Sequence, residues 1–328
     1  MIRNSTRISK NGTILKGIIL ISSFFSLIIS NNTASANNEM TIFEKTEIPE
    51  KAVIAHRGAS WFGPEETEPA YILARELGAD YLEFDIQLTS DGVPVLFHDD
   101  TLLRTTNVAD VFPQRKNAAI SAFTLAELKS LDAGSWFNLK NPDRARPSYK
   151  NLRILTLEEV IKIASSGRPG QRLYIESKSP EAYPGIEEKI VSQLKSAGWL
   201  DKSKVVFQSF SLESLKRFKE LAPEISRVYL VDEKLKKDYG WNKLVKDSAD
   251  NATGIGPSGY IAWPWNISKA HKRGLIVHVY TINALWQAKL INLFGADGIF
   301  TDRCDMLLKH YGRDNKTDPN DILKKYGY

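Results

Sequence analysis

From about residue 51 to residue 312, short apolar runs alternate with segments whose apolar positions recur at helical spacing. The runs at 53–56, 81–88, 172–178, 204–210, 227–231, 253–256, 275–281 and 298–301 read as strands, and the segments after them mostly as helices. Eight such repeats predict a (β/α)8 TIM barrel, an α/β fold around a parallel sheet. No Pro/Gly/Ser-rich linker interrupts the stretch, so 51–312 is expected to be one domain. Thr124 with Glu127 and Thr156 with Glu159 are capping-box patterns that start two of the helices, and Gly134 and Gly167 lie where those helices should stop.

One connection departs from the repeat. Only Thr89-Ser90-Asp91-Gly92 separates the strand at 81–88 from a strand-like run at 93–97, which is too short for a crossover helix and predicts a hairpin. Within 81–88, Glu83, Asp85 and Gln87 alternate with Leu82, Phe84 and Ile86, so both carboxylates share one strand face. A two-residue Asp91-Gly92 turn would set His98 opposite Asp85, and a turn shifted by one residue would set it opposite Glu83. Either register puts a histidine beside the carboxylates. Beyond it, about 99–151 holds a single clear helix and is longer than a barrel loop requires, which predicts an insertion over the strand ends.

The flanks differ in composition. Arg3, Arg7, Lys10 and Lys16 precede the uncharged apolar run 17–29 and then Ala34-Ser35-Ala36, the layout of a signal peptide over 1–36, so export to the periplasm or beyond is expected. Residues 37–50 read as a linker and 313–328 as a polar tail, frayed or lightly docked. The formal charge is +5, and the leader holds four cations and no acid, so its removal leaves +1. A nearly neutral domain argues against a nucleic-acid partner, and lysines such as Lys234, Lys236 and Lys237 read as solvated helix faces. Cys304 is the only cysteine, which excludes an internal disulfide, a cysteine-rich zinc site and a lipidated cysteine near Ala36. No stable membrane anchor is expected after cleavage, and oligomeric state leaves no mark in the sequence.

The candidate chemistry sits at strand ends. His56 closes the first strand, and Arg57-Gly58 follow in the loop where a barrel carries its active site. Glu176 and Lys178 end the third barrel strand and, two apart, share a face. Taken singly, these residues read as a core histidine, a surface ion pair and a buried Glu-Lys pair. Together they supply carboxylates for a hard divalent ion, cations for phosphoryl oxygens, and two histidines able to move protons near neutral pH.

The motifs that carry these residues are His56-Arg57-Gly58-Ala59-Ser60, Pro64-Glu65-Glu66-Thr67, Glu83-Phe84-Asp85-Ile86-Gln87, Val95-Leu96-Phe97-His98-Asp99, Arg104-Thr105-Thr106, Glu176-Ser177-Lys178, Gln208-Ser209-Phe210 and Gly298-Ile299-Phe300-Thr301-Asp302. In this order the chain resembles the glycerophosphodiester phosphodiesterase family, whose fold is a (β/α)8 barrel with an insertion after the His-Asp pair. The resemblance implies that Glu83, Asp85 and Glu176 bind one Ca²⁺ or Mg²⁺, that His56 and His98 are general acid and base, and that Arg57 and Lys178 hold the phosphate. It also implies a pocket role for Glu65 and, in the family's chemistry, attack of the glycerol 2-hydroxyl on phosphorus to give a cyclic phosphate that water opens. Phe210, Tyr280 and Phe300 are candidates for the wall that receives glycerol. Glu66 replaces the family's usual Asn, and Tyr280 stands where many members carry Trp.

The expected activity is metal-dependent hydrolysis of small glycerophosphodiesters to sn-glycerol 3-phosphate and an alcohol. A lysophospholipase D or sphingomyelinase D-like activity would use a similar site on acylated lipids and would want an exposed apolar rim, for which Trp136 and Phe137 of the insertion are candidates. A non-catalytic phosphodiester-binding surface protein would have lost a histidine or a metal ligand, and none is lost here.

Overall fold

The computed structural model describes residues 40–328 apart from Arg168; the expected signal peptide lies outside the described residues. Among the described residues nine strands form: β1 (Ala52–Ala55), β2 (Tyr81–Leu88), β3 (Pro94–Leu96), β4 (Arg172–Ser177), β5 (Val205–Ser209), β6 (Ser226–Val231), β7 (Gly254–Pro257), β8 (Ile276–Val279) and β9 (Gly298–Thr301). All but β3 pair in parallel, and the sheet closes where β1 pairs with β9 on one side and β2 on the other. This is the predicted eight-stranded TIM barrel, with helices covering its outside.

Two apolar layers follow from strand alternation. Ile54, Tyr81, Tyr174, Val206, Val228, Ile276 and Phe300 fill the barrel interior, while their alternates, such as Val53, Phe84, Ile175 and Phe207, pack under the helices. The stretch read as a linker is part of this core. It forms a short helix, Ile42–Thr46, closed by a Thr41/Glu44 capping box, and Ile48 is buried in the interior layer with Ile42 and Phe43 packed against it. The tail is likewise docked rather than frayed. Helix Pro319–Lys325 buries Ile322 and Leu323, and the Tyr326 hydroxyl accepts from Arg75 at 3.2 Å. Both segments hide their apolar residues in runs too short for periodicity to show.

The hairpin between β2 and β3 takes neither anticipated register. Ile86 pairs with Leu96 and Leu88 with Pro94, around a three-residue loop, Ser90-Asp91-Gly92, in which Gly92 has φ +74°. That is the loop class whose last residue must be left-handed, which glycine adopts without penalty. Continued regularly, this register would place His98 opposite Phe84, on the face away from the carboxylates. The ladder stops first: after Phe97 donates to the Asp85 carbonyl at 2.9 Å the chain diverges, and His98 turns into the site.

The segment 99–151 contains three short α-helices, Val108–Val111, Leu125–Ser130 and Ser135–Lys140, with four single 3-10 turns, and packs Leu102, Val108, Ile120, Phe123, Leu128 and Leu131 with Val95 and Phe97 into a core of its own. Both expected capping boxes form. Helix Leu125–Ser130, however, ends before Gly134, which instead caps the next helix, where a Cβ would meet the Tyr149 carbonyl oxygen at 1.8 Å. Glycine is there for close approach, not for stopping a helix. Phe137 is buried and Trp136 packs on it edge to face, so these aromatics dock the segment and form no exposed rim.

Candidate active site

The carboxyl ends of the strands converge on a cavity of about 210 Å³ lined by His56, Arg57, Glu83, Asp85, His98, Glu176, Lys178, Gln208, Phe210, Tyr280 and Phe300, among others. This is below the ~300–1,000 Å³ of drug-sized ligand sites, so the cavity suits a small molecule. All the expected site residues reach it except Glu65. That carboxylate stands behind Arg57, accepting from it at 2.8 Å and from both terminal nitrogens of Arg104 at 2.7 Å. Glu65 fixes the guanidinium rather than facing a ligand.

Parallel pairing sets Asp85 beside Glu176 on adjacent strands, with Glu83 two residues earlier on the same inward face. One oxygen from each of Glu83, Asp85 and Glu176 lies within 4.8 Å of the others, and all three residues are buried. Glu83 accepts from the Arg57 backbone N–H at 2.8 Å and from Gln208 at 2.9 Å. Arg57 holds φ +55°, a left-handed conformation costly for a residue with a side chain, and it is followed by Gly58 at φ +83°. In this turn Arg57 presents both its backbone donor and its guanidinium to the acidic group: its Nε is 3.5 Å from Asp85, and its terminal nitrogen binds Glu65. Lys178 Nζ lies 3.1 Å from Glu176 and 3.5 Å from Asp85.

The charges are unevenly held. Burial raises the Glu83 carboxyl to about 7, with His56 opposing and Asp85 adding, and burial raises Glu176 to about 8 against the pull of Lys178. Burial also works to raise Asp85, but Lys178, His98 and Arg57 together hold it well below the usual carboxylate range. One Asp85 oxygen is buried without a hydrogen-bond partner. Three buried hard oxygen donors, one of them without a hydrogen bond and two reluctant to ionise alone, fit a divalent cation.

Each histidine has its Nδ1 tied to a carboxylate, which leaves Nε2 for chemistry. His56 Nδ1 is 2.7 Å from Asp302, which also accepts from Ser60 and Asn283. His98 Nδ1 is 2.7 Å from Asp99, whose two oxygens are gripped by Arg104 at 2.6 and 2.8 Å. Burial and Arg57 push the His56 pKa down, but the Asp302 hydrogen bond and charge, with Glu83, lift it above its ordinary value. Burial pushes His98 down, Asp85 and the Asp99 hydrogen bond pull it up, and with Arg57 and Lys178 siding with burial it is left lowered. The pair is thus split into one histidine inclined to keep a proton and one inclined to lack it.

Asp302, Asn283 and Arg104 received no role from the sequence, although all three lie in or beside the conspicuous motifs. Glu66 also points inward: it is buried, and one of its oxygens accepts from the Asp85 backbone N–H at 2.9 Å. Burial and the neighbouring Asp85 charge hold its carboxyl well above the usual range, so it is a neutral acid where the resembling family has a neutral amide. Phe210, Tyr280 and Phe300 meet edge to face, Tyr280 lying 5.9 Å from Phe210 and 6.4 Å from Phe300, as one aromatic wall.

Residues 56–306 match the model of the Glycerophosphoryl diester phosphodiesterase family. The chain belongs to that family. Membership makes it a phosphoric diester hydrolase, in keeping with a site that retains every proposed proton carrier and carboxylate. It is 36% identical over 262 residues to a glycerophosphodiester phosphodiesterase of Bacillus subtilis, covering 78% of this chain and 85% of the relative. It is 34% identical over 257 residues to one of Caldanaerobacter subterraneus, covering 78% and 96%. Among solved structures, an Oleispira antarctica phosphodiesterase in complex with the product sn-glycerol-3-phosphate is 30% identical and superposes with a TM-score of 0.63 over 80% of this chain and 97% of that one. An Agrobacterium tumefaciens glycerophosphodiester phosphodiesterase, 25% identical, superposes with a TM-score of 0.59 over 79% and 99%.

Proposed function

We propose that this cavity hydrolyses small glycerophosphodiesters to sn-glycerol 3-phosphate and an alcohol. One observation carries the reading: a single small cavity is lined by two carboxylate-tied histidines, a buried carboxylate triad, Arg57 and Lys178. The product held by the Oleispira phosphodiesterase is of the size and charge this cavity would accept.

Glu83, Asp85 and Glu176 would hold one Ca²⁺ or Mg²⁺, which when bound supplies Lewis-acid stabilisation of negative charge on the phosphoryl oxygens. Arg57 and Lys178 bind those oxygens from the protein side. Neutral His98 takes the proton of the glycerol 2-hydroxyl as its oxygen attacks phosphorus, and protonated His56 donates to the alcohol oxygen as its bond to phosphorus breaks. The cyclic phosphate opens when water attacks, with the roles reversed: His56 removes the water proton and His98 returns one to the 2-oxygen. Phe210, Tyr280 and Phe300 cover the carbon face of glycerol. The reading includes export, with residues 1–36 as the cleaved leader.

The test is release of glycerol 3-phosphate from glycerophosphocholine by the purified chain, with chelator and then with Ca²⁺ or Mg²⁺ restored. Chelator-sensitive release is expected; head-group release from a lysolipid with none from any glycerophosphodiester would overturn the proposal.

A further inference from the structure

Beside the catalytic cavity, and sharing Tyr280 and Thr281 with it, runs a second groove of about 470 Å³ with no part in the chemistry above. It lies between helix Pro264–His271, which follows β7, and helix Leu285–Leu293, which follows β8. Both helices begin at the end of the barrel that carries the active site.

The rim of this groove exposes large apolar side chains that a folded domain normally hides. Tyr260, Trp265, Trp286 and Leu293 expose 85, 64, 66 and 70% of their surface, and Trp263 and Leu290 are exposed as well. They form a continuous face: Trp263 stacks on Trp265 with ring centres 5.2 Å apart, and Trp286, Leu290 and Leu293 fall at i, i+4 and i+7 on one helix side. An exposed patch of this kind marks a binding surface.

Charge selects the occupant. From 251 to 296 the chain contains no Asp or Glu but has Lys269, Lys272, Arg273 and Lys289, all exposed, although the domain after the leader is nearly neutral. Among the described residues, Glu233 is the one acid that lines the groove, and it accepts a hydrogen bond from Ser258. Tryptophan, tyrosine and leucine at the surface, on a segment that carries exposed cations and no acids, match the boundary of a lipid bilayer that carries negative head groups. No helix among the described residues is long and apolar enough to cross a membrane, so the contact would lie in the interface plane.

We propose that this face seats the enzyme on an anionic lipid bilayer, with Trp263, Trp265 and Trp286 entering the head-group layer and the cavity mouth held beside the surface. The inference goes beyond hydrolysis and is read by binding, so it stands or falls separately from the choice of substrate.

The experiment sediments the full chain with sucrose-loaded vesicles of phosphatidylcholine alone or with an equal part of phosphatidylglycerol. Binding to the anionic vesicles is expected, weaker at high salt. A Trp263→Ser, Trp265→Ser, Trp286→Ser variant should bind about tenfold or more weakly. A Lys269→Glu, Lys272→Glu, Lys289→Glu variant should lose the preference for anionic vesicles. Both should keep the thermal midpoint and wild-type turnover of soluble glycerophosphocholine. Wild type that ignores vesicles, or a tryptophan variant that binds them as wild type does, would overturn the proposal; so would a variant whose sole loss is self-association in sedimentation velocity, which would assign the face to a second copy of the chain.

Discussion

The Nδ1 of His56 lies 2.7 Å from Oδ1 of Asp302, and the other donors to that carboxylate, Ser60 and Asn283, are neutral. Asp302 therefore spends its charge on the imidazole. Replacing it by Asn removes the charge and the fixed tautomer together, so kcat should fall by about 10²–10⁴. In the proposed mechanism His56 acts protonated in the first step, so activity should be lost as pH rises through its pKa. Without Asp302 that pKa drops, and the alkaline limb of the kcat/KM profile should move to lower pH. An unchanged profile would remove Asp302 from the mechanism.

Arg104 plays the opposite part at the other histidine. Its bidentate grip on Asp99 offsets the carboxylate charge that would otherwise lift His98. Arg104→Gln should raise the His98 pKa, and because the proposed mechanism has His98 act deprotonated, the acidic limb should move to higher pH. Near neutrality kcat/KM should drop by about two- to tenfold. The same pH–rate series measures it, and a limb that stays in place refutes it.

Metal removal has a signed effect on stability. Glu83 and Glu176 sit at about 7 and 8 in the fold against an ordinary 4.5, so the stripped native state binds more protons than the unfolded chain across that interval. Its stability should fall as pH rises from 4.5 towards 8. His56, also raised, adds to the loss, and His98, lowered, opposes it. A bound divalent cation replaces the protons, so the gap in Tm between loaded and stripped protein should widen with pH, reaching about 5–10 °C near the alkaline end. Scanning calorimetry in chelator and in excess Ca²⁺ checks it.

Glu66 completes the edge of β2 at the point where pairing passes from β1 to β3, by accepting the Asp85 N–H that neither neighbour takes. Because its acid is neutral, Glu66→Gln should leave kcat within about threefold of wild type. Glu66→Ala orphans a buried donor beneath a proposed metal-binding carboxylate and should cost about 1–3 kcal/mol by denaturant titration. Equal loss in both variants would mean that the charge, not the hydrogen bond, matters.

Export should leave a mature chain beginning at Asn37, immediately after Ala34-Ser35-Ala36. Amino-terminal sequencing of the exported protein reads this directly, and an intact Met1 in the exported fraction would refute it.

The barrel and its chemistry were legible because each strand announces itself by alternation or by a short apolar run, and because the reactive residues sit at strand ends inside compact motifs. The hairpin was readable as a hairpin but not in register, since turn length depends on how Gly92 is used and not on its presence. The packing of 41–48, and which of the two expected states the tail takes, could not be read for want of periodicity: Ile48, Ile322 and Leu323 are buried through tertiary contacts that composition does not foretell. Asp302 escaped because its meaning depends on a neighbour 246 residues away. The orientation of Glu66 depended on a gap in β2 pairing that no local pattern encodes.

That separation has a temporal side. His56 and Asp302, which follow the first and last strands, meet only across the β1–β9 seam, so the proposed proton donor is held in place only once the ring is shut. A chain in which the last strand has not yet paired with the first lacks this contact, whose partners stand 246 residues apart. Closure of the ring and the seating of His56 against Asp302 are therefore one event.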